Sequence, residues 1–571
     1  MISPRSLSRW ILLLVLAAAA VKVSWHVWEV AALEARGAID SDALLYFTVG
    51  KGILNGLTPW ADLFESKPPG MFLIAALSLL TTGDELLALA LQITIYALLP
   101  AGLAWAAWFS SRERGETERW IAALAGCVAG ALLALYLQER AGGIQGESFG
   151  TAFAFLYLLL LYAWRDVALS PARIAALSVP LLAAIGTKEP FVLSILAGAL
   201  AVSSGVRTFA RGFVLPLLLA AALGLLTLLL TGWLRPYLDI YIPSMLQGRL
   251  ESNPLEPPLF RGFAAGRVFG NLTEFYTAPL LGWLLAYLWV LFPVLRAKRT
   301  PPLPDIGITV LASWLGYYVM TRTFLYLATW QAYRLGLELE QAVIPLPTPL
   351  FLLVVAALVF LYAVQWSRKL LGQTLIAFAG LFLTSAAVGL SIYATNHFAF
   401  ALPPMLALIL ASTRAFTQEK AKRILLWPAI AVAVAAAMLY SPSEKHLATM
   451  QDRLAYSSVT NAERVARVDG MLDACGVERY GSLGAFMTLG FAKHSPIGPL
   501  FITHFFDYLG KDHPLFARTT ENIAQAKVII SAGGEDADRR KELLEQKFTQ
   551  SPPECAKEHL PIEGLQFYWS I

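Results

Sequence analysis

The run FVLPLLLAAALGLLTLLLTGWL, from Phe213 to Leu234, contains no charged residue. No other feature limits the fold so strongly. A helix of about 20 apolar residues spans the hydrocarbon core of a bilayer. A helix that is apolar all round belongs in lipid or in a large core. Comparable blocks recur along the 571 residues. Charged residues make up 15% of the chain, where an ordinary soluble domain has about 25%. The chain therefore reads as an α-helical polytopic membrane protein. Its net charge of +4 follows from where Lys and Arg fall in the loops, and it indicates no nucleic-acid partner. Cys127, Cys475 and Cys555 have no metal-ligand spacing.

A span length of about 20 residues places helices near 10–32, 85–109, 119–138, 148–165, 172–186, 190–204, 212–234, 275–296, 306–326, 348–366, 372–394, 398–414 and 424–440. That is about 13 spans, several of them short enough to tilt or to thin the bilayer. The first segment, RSLSRWILLLVLAAAAVKV, has the look of a signal peptide. It reads better as an uncleaved anchor. Its apolar run continues past Lys22 through Trp25, Val27 and Trp28, with no small-x-small cleavage site before a polar start.

Alternate short loops carry the cations: Arg5/Arg9, Arg112/Arg114/Arg119, Arg165/Arg173, Arg207/Arg211, Arg296/Lys298/Arg299, Arg368/Lys369 and Arg414/Lys420/Lys422/Arg423. The positive-inside rule makes these loops, and the N-terminus, cytoplasmic. The pattern holds only if KPPGMFLIAALSLLTTG (67–83) does not cross but lies in, or dips into, the outer face. The outer side then receives loops 33–84, 139–147, 187–189, 235–274, 327–347 and 395–397, and everything after 440. Asp40, Asp42, Asp62, Glu65, Lys67, Glu147, Lys188, Glu189, Arg235 and His397 all fall on that side, near helix ends.

After residue 440 the long apolar runs stop. NAERVARVDGMLDAC reads as an amphipathic helix; RYGSLGAFMTLGF, AKVIISAG and LQFYWSI read as strands. The chain thus divides into a transmembrane part, 1–440, with its first outer loop at 33–84, and a small extracytoplasmic α/β domain, 441–571. Cys475 and Cys555 lie in that domain, in what should be an oxidising compartment. Whether they pair is open at this point.

The first outer loop holds the densest chemistry. A helix beginning near Asp42 sets Tyr46 on the same face, four residues on, and its positive end favours an ionised carboxylate. Such a carboxylate can act as general base on a hydroxyl. Lys67 precedes two prolines, which stiffen the chain and fix the direction of a cation suited to a lipid phosphate.

These residues carry a resemblance. An acidic residue, a Tyr four later, LNGLTPWADLF and then KPPG resemble the first outer loop of lipid-dependent glycosyltransferases of the GT-C class. The similarity is to the bacterial branch related to protein O-mannosyltransferases and the lipid A aminoarabinose transferase. GGIQGESFG, GTKEPF, NHFAFALPPM and GSLGAFMTLGFAKHSP are similar to later pieces of such enzymes. The resemblance implies a GT-C-like helix bundle in the cytoplasmic (inner) membrane, with an outer cavity. It implies a polyprenyl-phosphate sugar donor, an acceptor hydroxyl on a glycan, glycolipid or protein, and inversion at the anomeric carbon. No nucleotide is expected, and no Gly-rich phosphate loop is visible. No ligand spacing supports a divalent cation.

Residue by residue, the resemblance casts Asp42 as the catalytic acidic residue, with Asp40 as its rival, and Tyr46 at the matching spacing. Lys67 would hold the donor phosphate. Lys188, Arg235 and His397 are further candidates for stabilising the leaving group. Glu147 would bind substrate or a cation, or serve as a helix N-terminal carboxylate. Asp62 and Glu65 read as loop-structuring groups. Two departures stand out: Ala43 and Leu44 follow Asp42, where many relatives carry a charge, and His397 stands where some have Arg. Two other readings are a lipid-linked glycan polymerase or ligase, given Arg235, Arg249, Arg261 and Arg267 in one outer loop, and a lipid or solute transporter. A transporter should show ionisable groups at mid-membrane depth and interrupted helices in paired halves.

Overall fold

The computed structural model describes residues 4–111, 115–165, 167–203, 205–245, residue 383 and most of 398–410, then 444–483, 489–501, 513–532 and 547–571. The N-terminal part is helical throughout: α1 (Pro4–Glu34), α2 (Ser41–Leu54), α3 (Gly70–Thr81), α4 (Leu86–Ser110), α5 (Glu116–Ala141), α6 (Gly146–Ala163), α7 (Pro171–Thr187), α8 (Phe191–Val202), α9 (Val206–Leu230) and α10 (234–245). Among the described residues, α1, α4, α5, α6 and α9 contain segments long and apolar enough to cross a membrane. The shorter apolar helices are α3, α7 and α8. The first seven expected spans each meet a helix here. The spans expected at 372–394 and 398–414 are described only in part, the first at residue 383 alone; the other four lie outside the described residues, as does the expected boundary at 440.

Small residues set the packing of these helices. On α5, a Cβ at Gly126 would stand 2.5 Å from the Leu103 carbonyl oxygen, and one at Gly130 would stand 2.5 Å from Pro100 Cα. Two glycines four apart thus let the backbone of α4 rest on α5, the usual device where lipid offers no hydrophobic drive between helices. The π-helical stretch Ala210–Val214 opens the ladder within α9, and the buried Tyr157 hydroxyl donates to the Gly212 carbonyl. Backbone freed in an apolar surrounding thereby finds a partner. Beyond it, Leu218, Leu225, Leu229 and Leu230 are exposed, the surface a lipid-facing helix presents.

Two boundaries differ from the sequence reading. The helix expected over 212–234 ends at Leu230, and Gly232, at φ 75°, turns the chain into α10. Arg235, expected in a loop, lies in the first turn of α10. Glu147, expected at the end of a loop, lies in the first turn of α6.

The C-terminal part opens with α11 (Glu444–Leu454) and α12 (Ser458–Ala474), the latter capped by Ser457, whose hydroxyl accepts from the Thr460 amide. It then forms β1 (Arg479–Leu483), β2 (Ser495–Ile497), α13 (Pro514–Ala524), β3 (Val528–Ser531), β4 (Phe548–Thr549), α14 (Glu554–Lys557) and β5 (Gln566–Ser570). The sheet order is β2-β1-β3-β5-β4, with β1 parallel to β2 and β3, and β5 antiparallel to β3 and β4. The expected strand RYGSLGAFMTLGF is a strand only over its first part: Leu489 to Phe491 are helical or turn. A disulfide joins Cys475 at the end of α12 to Cys555 in α14.

This part does not stand apart from the first loop. Leu500, Phe501 and Leu515 belong to one buried cluster with Leu44, Phe47, Trp60 and Phe64. The Phe64 amide donates to the Pro499 carbonyl at 2.7 Å, and the Phe47 and Phe491 rings lie 5.0 Å apart. Lys51 Nζ donates to the Leu489 carbonyl at 3.1 Å. Ser244 of α10 meets His513 at 3.1 Å.

Candidate active site

The start of α2 is fixed by Asp40. Its backbone is extended, as an N-cap requires, and its Oδ1 accepts the Asp42 amide at 3.1 Å. Its own amide donates to the Gly143 carbonyl at 2.9 Å, and its Oδ2 lies 3.3 Å from Arg453 Nη2. Burial pushes the Asp40 carboxyl up, against the opposing pull of Arg453. Asp42 is half-buried, and among the described residues its carboxylate takes no hydrogen bond and no ion pair. Asp40 thus has both carboxylate oxygens engaged, and Asp42 has neither engaged among the described residues.

One turn on, Tyr46 is fully buried, its hydroxyl 3.5 Å from Gln145 Oε1. Burial, followed by the Asp42, Glu147, Glu65 and Asp40 carboxylates, raises its phenol well above the ordinary range. It stays protonated as a donor.

The loop from 55 to 69 brings Lys67 in. Trp60, buried at φ 64°, donates its indole N–H to the Lys67 carbonyl at 3.2 Å. The Asp62 carboxylate accepts the Thr58 amide and pairs with Arg518. Asp62 is therefore loop-structuring, as its place in the sequence suggests. Glu65 does more. It is almost fully buried, lies 3.4 Å from Lys67 Nζ, and accepts from Ser66; its Oε2 has no hydrogen-bond partner among the described residues. Burial pulls the Lys67 ammonium down, but Glu65, Asp42 and Glu147 together outweigh it and hold the ammonium above the ordinary lysine range.

Glu147 and Lys188 close the other side. They form a buried ion pair between the start of α6 and the end of α7. The Lys188 ammonium is lowered by burial and by Lys67, against Glu147 and Asp42. Gly70 makes the approach of the Lys67 loop to this pair sterically feasible: a Cβ there would stand 2.4 Å from the Gly186 carbonyl oxygen. The Phe400 ring, from the expected late motif, lies with its centroid 5.9 Å from Lys188 Nζ and 4.7 Å from the Phe191 ring.

Asp42, Tyr46, Glu65, Lys67, Glu147 and Lys188 therefore form one electrostatic cluster drawn from α2, the following loop, α6 and the turn after α7. Arg235 does not join it: it is exposed on α10, with no ion pair to these groups among the described residues. His397 lies outside the described residues. The Tyr241 hydroxyl donates to Glu189, and Trp60 packs on Tyr237 and Tyr241 at 5.4 and 5.1 Å, a contact with no local signal in the sequence. Arg453 and Gln92 were likewise unmarked: neither sits in a motif. Among the described residues, no group of three or more His, Cys, Asp or Glu is arranged to hold a metal ion.

No protein-family model matches the chain, and no curated protein sequence matches it. Among solved structures it is similar to an Archaeoglobus fulgidus oligosaccharyltransferase, crystallised with Zn and sulfate, at 13% identity. The similarity covers 90% of this chain and 67% of that one, with a TM-score of 0.35, too distant to argue from.

Proposed function

We propose that the chain is a membrane glycosyltransferase that moves a sugar from a polyprenyl-phosphate donor to an acceptor hydroxyl at the outer face of the cytoplasmic membrane. The observation that carries this reading is an Asp42 carboxylate with no hydrogen bond or ion pair among the described residues, in one electrostatic cluster with the half-buried Lys67 ammonium. Asp42 takes the acceptor's proton. The acceptor oxygen bonds to the anomeric carbon from the face opposite the phosphate. The bond from that carbon to the phosphate oxygen breaks, and the electron pair leaves with the lipid phosphate. Inversion follows from this single displacement. Lys67 offsets the charge that grows on the departing phosphate, with Lys188 in support. Tyr46 donates to a substrate oxygen or to Gln145. Glu147 keeps Lys188 in place.

Sidedness supports the reading as well. A disulfide between Cys475 and Cys555 suits an oxidising compartment, and the region that holds it packs on the loop that holds Asp42.

The test is transfer in membranes supplied with radiolabelled polyprenyl-phosphate hexoses and pentoses. Asp42→Asn should lower the rate by about 10²- to 10⁴-fold, the range for loss of a general base, at unchanged protein level. Asp42→Asn transferring as fast as the parent chain would reject the base assignment.

A further inference from the structure

One buried cation near the site has no part in the chemistry just described. Arg453 comes from α11, at the far end of the chain, and is buried. Its Nη2 lies 3.3 Å from Asp40 Oδ2. Its Nη1 lies against Gly142, where a Cβ would stand 2.8 Å from that nitrogen and 2.6 Å from Glu34 Oε1. The guanidinium is thus wedged among Asp40, Gly142 and the end of α1.

Each of those contacts leads towards Asp42. Glu34 Oε1 accepts the Gly143 amide and Gln92 Nε2, both at 3.2 Å. Gln92 Oε1 accepts the Ile144 amide at 2.9 Å. The Gly143 carbonyl accepts the Asp40 amide at 2.9 Å. Asp40 then divides its two oxygens, Oδ2 towards Arg453 and Oδ1 towards the Asp42 amide. Gly143 and Ile144 both have positive φ, 76° and 69°, so this turn keeps its shape only while its amides are held.

We propose that Arg453 is a positioning residue for Asp42: its ion pair with Asp40 fixes the Asp40 rotamer, and through it the first turn of α2 and the Asp40 bond to the 142–144 turn. This inference rests on the reading of Asp42 as the base. It makes α11 part of the site's support. The physical argument is geometric. The rigid, planar guanidinium presents Nη2 to Asp40 Oδ2 while its Nη1 is held against Met450 Sδ at 3.7 Å, and a flexible ammonium keeps no such orientation. Without the guanidinium, the half-buried Asp40 carboxylate loses its cation and the N-cap it provides to α2 loosens.

The test uses the full-length protein in detergent micelles, with Arg453→Lys and Arg453→Met as variants. Carboxylates are labelled with a water-soluble carbodiimide and an amine, and the sites are quantified by mass spectrometry. Exposed Glu558 is the internal reference. Labelling of Asp42 relative to Glu558 should change severalfold in both variants, with α12 and the sheet keeping parental hydrogen exchange. In transfer assays, Arg453→Lys should lower kcat about tenfold at unchanged donor KM, the signature of a misplaced reacting group.

Unchanged Asp42 labelling in folded Arg453→Lys protein overturns the inference. So does a raised donor KM at unchanged kcat. If Arg453→Met does not fold, the lysine variant carries the test. The underlying reading fails separately: an active Asp42→Asn chain rejects Asp42 as base, while the labelling result still decides whether Arg453 positions that carboxylate.

Discussion

Both oxygens of Asp40 are engaged, whereas Asp42, two residues on, has no carboxylate partner among the described residues. The choice between them was not available from the sequence, because it depends on Arg453 and Gly143, which are remote in the chain. Lys67 is held charged by three carboxylates, so its loss should be felt as lost donor binding. Lys67→Ala should raise the donor KM in transfer assays more than it lowers kcat; an unaltered KM would count against a phosphate contact. Lys51 is the opposite case. It is fully buried between α2 and Leu489, and burial pulls its ammonium down to about 7, against Asp469. The unfolded chain holds that proton to about pH 10.4. Between these values the unfolded state binds more protons, so stability rises with pH and is lost as pH falls towards 7. Unfolding followed from pH 7 to 10 should show this rise, and Lys51→Met should flatten it.

Elements were legible where their pattern is local. The apolar blocks gave α1 and α4 to α9, with ends displaced by up to about six residues, since length and hydropathy decide a span. KPPG opens a short apolar helix, and α3 has 12 residues. The convergence of Asp42, Lys67, Glu147 and Lys188 was readable from sidedness. Arg235 was misread because α9 stops early: Gly232 turns the chain, and the arginine faces outward from α10. Glu65 was read as a loop group because its partner Lys67 becomes its ion pair only when the Trp60 turn closes. The contact between α3 and α7 tests how closely the elements must fit. Gly70→Val places side-chain atoms where the Gly186 carbonyl already stands. It should cost about 1–3 kcal/mol by overpacking and move Lys67 away from Glu147. Thermal unfolding would read the first effect, and reduced transfer by the folded fraction the second.

The whole molecule couples its two ends. The Cys475–Cys555 disulfide closes a stretch with a sequence separation of 80, which contributes about 4 kcal/mol in the chain-entropy picture. The Cys475→Ser/Cys555→Ser pair should therefore unfold its C-terminal sheet at lower denaturant. Because Leu500, Phe501 and Leu515 complete the cluster around Leu44 and Phe47, the first loop should loosen with it. Limited proteolysis within 33–84, enhanced in the double variant, would show that coupling, and cleavage confined to 475–571 would deny it. The shared cluster also orders events during synthesis. Its first half leaves the ribosome hundreds of residues ahead of its second. The early half must wait until the segment that holds Leu500, Phe501 and Leu515 arrives beside it. A nascent chain cut short before Leu500 would carry the acidic residues of the first loop without these side chains around them, so competence is conferred only once that segment has been made.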